Sequence, residues 1–294
     1  MKITRNIRYK LEVLLIALLV LFFRLLGLKI SRFFWKHFTC FLGKKLPVNK
    51  VVKRNIAICF PNLNTLEKQK LEKKAWQNFG ILIAEFPFLN KIYNNFDKYC
   101  EISSREKYAD ALKKYGKVVL CSAHISNWEF LLPIANRLES KPVAFYRPIN
   151  NRHLDNWIKK TRKNFVLDYV PKGISAARKL VELMKSQNNA ISILVDQRDS
   201  KGIEVEFFGN KVFASQIFAD IAIRYKLPII FFTIYRDESG YYHSEPKLII
   251  YPEENKTAAQ ITQLVYKELE EYIKKYPDQW FWMHKRFERW QYSK

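Results

Sequence analysis

The sequence predicts an α/β fold, a largely parallel mixed sheet covered by helices on both faces, with a membrane-anchoring helix at its N-terminus. Three observations lead there. Strand-like and helix-like runs mostly alternate through the 294 residues, the order that produces crossover connections and a parallel sheet. Runs such as Ala190 to Val195 are near-continuously apolar, as strands buried on both faces are. The third is an apolar N-terminal stretch with a basic flank.

That stretch begins with Lys2, Arg5, Arg8 and Lys10 and continues as Val13 to Phe23, eleven uninterrupted apolar residues. Arg24 and Lys29 then interrupt Leu25, Leu26, Leu28 and Ile30. A clean spanning helix needs about 20 apolar residues, so this is a borderline span. No small-x-small cleavage site follows, which argues against a signal peptide. The next segment, Arg32 to Phe38, alternates basic and aromatic residues as an interfacial helix does. Residues 1–42 read as a membrane anchor and interfacial helix with the basic end cytoplasmic. Whether the anchor spans or lies flat is left open, and a buried core helix with a basic flank is the alternative.

The remainder, 43–294, reads as one domain, because no linker rich in Gly, Pro or Ser divides it. Helical patterns fall at 51–59, 65–90, 103–115, 127–139, 150–165, 174–187, 215–226 and 257–275, with Thr65 and Ser103 as expected N-caps. Strand patterns fall at 117–122, 142–146, 190–196, 204–208, 228–235 and 247–251. Pro142 and Pro228 stand at strand starts, where a missing donor is tolerated.

Composition adds a constraint. The net charge is +23, enough to argue for a polyanionic partner. Richness in Lys, Asn and Ile with only eight Gly also fits a low-GC genome, which would raise the charge without function. Cys40, Cys59, Cys100 and Cys121 are far apart in sequence, suggesting neither a zinc knuckle nor a redox pair. No metal-ligand spacing, P-loop or dinucleotide glycine pattern is present, so neither metal nor cofactor is expected.

Chemistry concentrates where the 117–122 strand ends, in Cys121-Ser122-Ala123-His124-Ile125-Ser126-Asn127-Trp128-Glu129. Histidine can accept a proton near neutral pH, and a neighbouring carboxylate can fix its tautomer. On one continuous helix, residues five apart point away from each other. His124 and Glu129 converge only if the first sits in the turn and the second in the first helical turn, a break that Ser126 as N-cap would provide. The same letters form an S-x-x-E capping box, in which Glu129 bonds only backbone. Two more strand ends carry polar groups, Tyr146-Arg147-Pro148 and Asp196-Gln197-Arg198-Asp199. Functional groups of open α/β sheets gather at those ends.

These pieces, in order, resemble the late (lauroyl- or myristoyl-type) lipid A biosynthesis acyltransferases within the wider H-x4-D/E acyltransferases. The matching residues are the N-terminal apolar segment, Ala123-His124 through Glu129, Tyr146-Arg147-Pro148 with Leu154-Asp155, Arg162, Asp196-Gln197, Phe207-Phe208-Gly209, and Pro277-Asp278-Gln279-Trp280-Phe281-Trp282-Met283-His284-Lys285-Arg286-Phe287. The C-terminal run is far more specific than H-x4-E. Asn151-Arg152-His153 and the glycine-free loop after Asp196 depart from the pattern, which bears on acyl length and acceptor preference.

The resemblance implies a glycerol-phosphate-acyltransferase-like fold and transfer of a fatty acyl group from acyl-carrier protein to a hydroxyl of a lipid A precursor. The product is an acyloxyacyl group, made at the cytoplasmic face of the inner membrane without cofactor. His124 would be the general base, oriented by Glu129. Arg162 would stabilise the oxyanion, helped by backbone N–H groups at the start of the 127–139 helix. Asp196 would hold Arg162 or line the acceptor site. Arg147, Gln197 and Arg286 would contact substrate, while His284 would contact phosphate or pack. The absence of G-x-S-x-G favours direct transfer over an acyl-enzyme. The basic excess would then meet acceptor phosphates, an acidic carrier and an anionic leaflet. Two rivals stand beside this reading: a membrane acyltransferase for a glycerol phosphate or glycosylated phospholipid, and a membrane-anchored basic nucleic-acid binder, against which the dispersed basic residues argue.

Overall fold

The computed structural model describes residues 2–171 and 174–292; the side chains of Lys2 and Arg5, part of the expected basic end, lie outside what is described. In chain order come α1 (Lys2–Gly43), α2 (Asn49–Cys59), α3 (Thr65–Glu85), α4 (Leu89–Asn94), β1 (Cys100–Ile102), α5 (Arg105–Tyr115), β2 (Lys117–Ser122), α6 (Leu131–Arg137), β3 (Lys141–Tyr146) and α7 (Arg152–Arg162). There follow β4 (Asp168–Pro171), α8 (Ile174–Leu183), β5 (Asn189–Leu194), β6 (Arg198–Phe207), β7 (Asn210–Ala214), α9 (Ile217–Tyr225), β8 (Ile229–Arg236), β9 (Tyr242–Ile250) and α10 (Ala258–Lys275).

Seven strands form the main sheet in the order β1-β9-β8-β2-β5-β3-β4. All neighbours are parallel except β8 and β9. Successive residues of β2 face opposite sides, as a strand requires. Val119 and Cys121 join the core beneath α9 and α10, with Phe218, Val265 and Leu269. Val118 and Leu120 join the core beneath α5 and α6, with Tyr108, Leu112 and Ile134. A strand buried on both faces has no polar side to present, hence its continuous apolar reading.

Several boundaries differ from the sequence reading, each for a local reason. The 65–90 helix ends at Glu85 and breaks into a short turn at Phe86–Phe88, since Pro87 cannot donate to a continuing helix. Asn64, not Thr65, is the N-cap, in a capping box with Glu67. Ser104 rather than Ser103 precedes α5. The 127–139 helix starts as a tight turn, Trp128–Phe130, and becomes α-helical only at Leu131. β1, β4 and β7 were invisible to periodicity because they are three to five residues long. β6 and β7 form a separate antiparallel hairpin off the main sheet.

The N-terminal helix is long and apolar enough to cross a membrane by length and composition, but it is not straight. Gly27 has φ 83° and ψ 166°, a conformation glycine reaches without a Cβ penalty. The Ser31 hydroxyl donates to the carbonyls of Phe23 (3.1 Å) and Gly27 (2.8 Å), occupying acceptors the break leaves open. The chain folds tightly enough there for the Phe23 ring to meet Phe34 (5.1 Å) and Trp35 (5.4 Å). The second leg packs on α3, where the Thr39 hydroxyl donates to the Trp76 carbonyl (2.8 Å). Gly80 allows that approach: a Cβ there would lie 2.2 Å from the Trp35 carbonyl oxygen.

Gly80→Ala must therefore push a backbone aside. It should lower stability by about 1–3 kcal/mol, the usual cost of overpacking, measured by urea unfolding of the detergent-solubilised chain.

Candidate active site

His124 and Asp196 are brought together by strand register. β2 and β5 are adjacent and parallel with Ser122 opposite Leu194. Two residues beyond each strand end therefore stand His124 and Asp196, one interstrand spacing apart. His124 Nδ1 lies 2.6 Å from Asp196 Oδ1. The other carboxylate oxygen accepts from Trp280 Nε1 (2.9 Å) and Arg286 Nη2 (2.8 Å).

Asp196 is 2% exposed. Burial by itself would raise its pKa, but the charges of Arg286 and His124 and the hydrogen bonds from His124 and Trp280 outweigh burial and hold it well below the usual carboxylate range. An ionised carboxylate can only accept, so Nδ1 of His124 carries the proton. Whenever the ring is neutral its lone pair is therefore on Nε2, which has no hydrogen-bond partner among the described residues.

The expected partner of His124, Glu129, is engaged elsewhere. Arg162 at the end of α7 donates to it through Nε (2.9 Å) and Nη2 (2.5 Å), the two-pronged geometry that suits guanidinium and carboxylate. The orienting roles are thus exchanged relative to the sequence reading: Asp196 holds the imidazole, and Glu129 holds Arg162. Burial is the largest single influence on the Arg162 pKa and works to lower it, but the charge and hydrogen bonds of Glu129 together outweigh it and the pKa is raised. The reason Glu129 misses His124 is local. Asn127, not Ser126, caps the turn, its side chain accepting from Glu129 N (3.1 Å). The ring of Trp128 stacks edge-on against His124 at 5.0 Å between them in sequence. Two of the N–H groups expected to help an oxyanion are already spent, Glu129 N on Asn127 Oδ1 and Phe130 N on the Asn127 carbonyl.

The C-terminal segment holds the turn from the other side. Ile125 and Trp280 form an antiparallel bridge. Ser126 N donates to the Gln279 carbonyl (2.7 Å), and Phe281 N donates to the His124 carbonyl (2.8 Å). This explains why the strongest sequence motif lies far from the histidine. Arg286, expected to touch substrate, is 4% exposed and sits behind Asp196; its contribution is to charge-balance that carboxylate. His284 lies beside His124, ring centres 5.6 Å apart. Burial, then the charges of Arg286 and His124, push its pKa down to about 4, so it is neutral at pH 7.

His124, Glu129, Arg162, Arg147 and Gln197 line one cavity of about 270 Å³, with an apolar side that includes Leu132, Phe145, Ile193 and Phe218. Arg147 is exposed at the cavity and has no ion-pair partner among the described residues. Its loop is fixed by Asp155, which accepts from Tyr146 Oη (2.7 Å) and Ile149 N (2.8 Å). That gives the Leu154-Asp155 pair a physical role.

Sequence reading passed over Trp280 as a donor, Asn127 as a cap and Glu85 altogether. Glu85 is wholly buried. It pairs with Arg32 of the second leg of α1 (2.7 Å) and accepts from Asn127 Nδ2 (2.5 Å) and Tyr242 Oη (2.6 Å). The N-terminal helix is thereby wired to the turn that presents Glu129. Only Asn127 left a signal, an Asx residue two before the position it caps.

The depressed His284 pKa makes a stability prediction. Between about pH 6.5, its ordinary value, and pH 4, its folded one, the unfolded chain binds more protons at this position; stability therefore falls as pH falls through that window. His243, whose pKa is raised against burial by bonds to Asp237 and Glu101, works in the opposite sense. The difference between wild type and His284→Gln isolates the effect. Urea midpoints taken from pH 7 to pH 4 should drop more steeply for wild type; parallel curves would refute it.

The chain is similar to known proteins along most of its length. The family model for "Bacterial lipid A biosynthesis acyltransferase" matches residues 2–289. A lipid A biosynthesis palmitoleoyltransferase of Escherichia coli K12 is 23% identical over 270 residues, covering 84% of each chain. A lipid A biosynthesis acyltransferase of Shigella flexneri matches with the same identity and coverage. The family model spans the chain from the first leg of the N-terminal helix to the residues beyond Arg286, and the chain belongs to the bacterial lipid A biosynthesis acyltransferases.

Proposed function

We propose that the protein transfers a fatty acyl group from acyl-carrier protein to a hydroxyl of a lipid A precursor by direct attack, with His124 as general base. The observation that carries this reading is the His124–Asp196 pair at the cavity: Nδ1 is committed to a buried anion, and Nε2 is left with its lone pair. An alcohol is a poor nucleophile at neutral pH. Nε2 takes its proton as the oxygen attacks the thioester carbonyl, and Asp196 supports the imidazolium that results. The tetrahedral intermediate collapses, the C–S bond breaks, and the imidazolium returns the proton to the leaving thiolate.

Arg162 is the donor for the oxyanion. Glu129 occupies two of its N–H groups and fixes the plane of the guanidinium, leaving the remainder for substrate. Arg147 and Gln197 meet the polar part of the acceptor. The membrane face is the inner membrane's cytoplasmic side, reached through the apolar outer surface of α1. The +23 charge favours an acidic carrier, a phosphorylated acceptor and an anionic leaflet together.

The test is transfer from a fatty acyl-carrier thioester to a hydroxyacyl glucosamine phosphate. His124→Gln should lower kcat by about 10²–10⁴-fold with a smaller change in KM, the scale of lost general-base catalysis. Arg162→Lys keeps the charge but loses the paired geometry, and it should lower kcat more than it raises KM. Wild-type rates in both variants would refute the assignment. A glycerol-phosphate acceptor used in preference would replace the acceptor and keep the chemistry.

Charge steering has its own signature. Raising ionic strength from about 0.01 M to 0.15 M shortens the screening length from about 30 Å to about 8 Å. The carrier-protein kcat/KM should fall across that range, and a flat profile would exclude steering.

A further inference from the structure

A second cavity, of about 320 Å³, lies beside the catalytic one and is walled almost wholly by hydrocarbon. That volume falls at the lower end of the roughly 300–1,000 Å³ typical of small-molecule sites. Ile16 and Val20 come from the first leg of α1, Leu82 and Ile83 from α3, and Trp157 from α7. Its inner end is Trp128 and Glu129, which also line the cavity of His124. The two spaces share that pair as a common wall.

The first leg of α1 is tied to the domain along its length. Asn151 Nδ2 donates to the Tyr9 carbonyl (3.1 Å) and to Glu12 Oε2 (3.0 Å), and Arg24 Nε donates to the Pro87 carbonyl (3.0 Å). One side of the leg thus closes the cavity. The other side leaves Leu14, Leu18, Phe22 and Leu25 more than half exposed. A bare stripe of that kind is not stable in water, and a bilayer is the medium that covers it. The cavity therefore stands between lipid and the imidazole.

We propose that this cavity holds the hydrocarbon chain of the acceptor lipid, drawn from the bilayer along α1, with the acceptor hydroxyl emerging past Trp128 at His124. The inference rests on the acyl-transfer reading above. The acceptor is favoured over the donor by where each comes from. The donor arrives through water on a soluble carrier. The acceptor already lies in the bilayer, and passing its chain from lipid to a pocket of Ile, Leu and Val exchanges one hydrocarbon surrounding for another. The donor chain has its own apolar wall in the catalytic cavity, at Leu132, Phe145, Ile193 and Phe218.

The experiment uses the full chain in vesicles of phosphatidylethanolamine and phosphatidylglycerol. Acceptors are 3-hydroxyacyl glucosamine phosphates, one with a long chain and one ending just beyond the hydroxyl. Val20→Trp and Ile83→Trp fill the cavity from opposite walls, so a folding failure in one leaves the other. Each should lower kcat/KM for the long acceptor by about tenfold or more, the scale set by a methylene or two of pocket fit. The short acceptor and the donor-length profile should be unaffected. An unchanged long-to-short ratio, or a shift in donor length instead, would overturn the proposal. A second readout needs no turnover: the long acceptor carrying a diazirine at its chain end is photolysed with the wild-type protein. Labelling at Ile83 or Leu82 supports the site even if the acyl-transfer reading fails. Labelling confined to Leu14, Leu18 and Phe22 overturns it even if transfer proceeds.

Discussion

The Asp196 carboxylate accepts from three donors of different kinds, an imidazole, an indole and a guanidinium, in a place water does not reach. Each donor alone would be insufficient. A buried carboxylate needs a counter-charge, and Arg286 supplies it. Arg286 in turn needs Asp196: it bonds the carboxylate through Nη2, and its buried Nε and Nη1 have no hydrogen-bond partner among the described residues. Removing either one leaves the other as an uncompensated buried charge, a loss of about 3–5 kcal/mol. The pair is therefore structural before it is chemical. His124 borrows an anion that the fold already requires, and its tautomer follows without further cost. This also explains why the C-terminal residues must be where they are. Trp280 and Arg286 reach Asp196 only because the 279–282 backbone is bonded to the His124 turn.

The side of the molecule that carries α1 obeys a similar logic. Glu85 is sealed from solvent and gathers Arg32, Asn127 and Tyr242. Without Arg32 its charge would lack a cationic partner at that point. The second leg of α1 is thus part of the core's electrostatic closure and not an appendage. Because Asn127 also caps the turn at Glu129, a displacement of that leg is felt at the Arg162 pair through three consecutive hydrogen bonds.

How much of this the sequence disclosed depends on what kind of signal each part leaves. Burial on both faces leaves a strong one, and β2, β5 and β8 are apolar enough to be located closely. Strand-end placement is also legible: His124, Arg147 and Asp196 share one edge because parallel strands share a direction. Strand order is not legible. Nothing in the letters says that β5 lies next to β2 while β3 lies beyond it, and that adjacency alone decides which carboxylate meets the histidine. H-x4-E proximity in the chain suggested Glu129; proximity across the sheet selected Asp196. The same limit hid Trp280 and Glu85, whose partners are 84 and 42 residues away. Short elements failed for a different reason. β1, with three residues, is too brief to show any period.

The exchange of carboxylates also separates the two arginines at the cavity. Arg162 is partly buried and has its charge largely balanced by Glu129, so what it offers a substrate is directed N–H groups in a fixed plane. Arg147 is exposed and unpaired among the described residues, so what it offers is net charge on a loop that Asp155 shapes. A transient oxyanion is best served by the first kind, since preorganised dipoles need no rearrangement when charge develops. A phosphate that is anionic before and after reaction is best served by the second, since its attraction helps binding equally in both states. If Glu129 had instead served His124, Arg162 would be a loose cation in a half-dry cavity, drawn to the acceptor's phosphate in the ground state. Under the proposed mechanism, pairing it internally removes it from that competition and leaves it for the oxygen that becomes charged only during transfer.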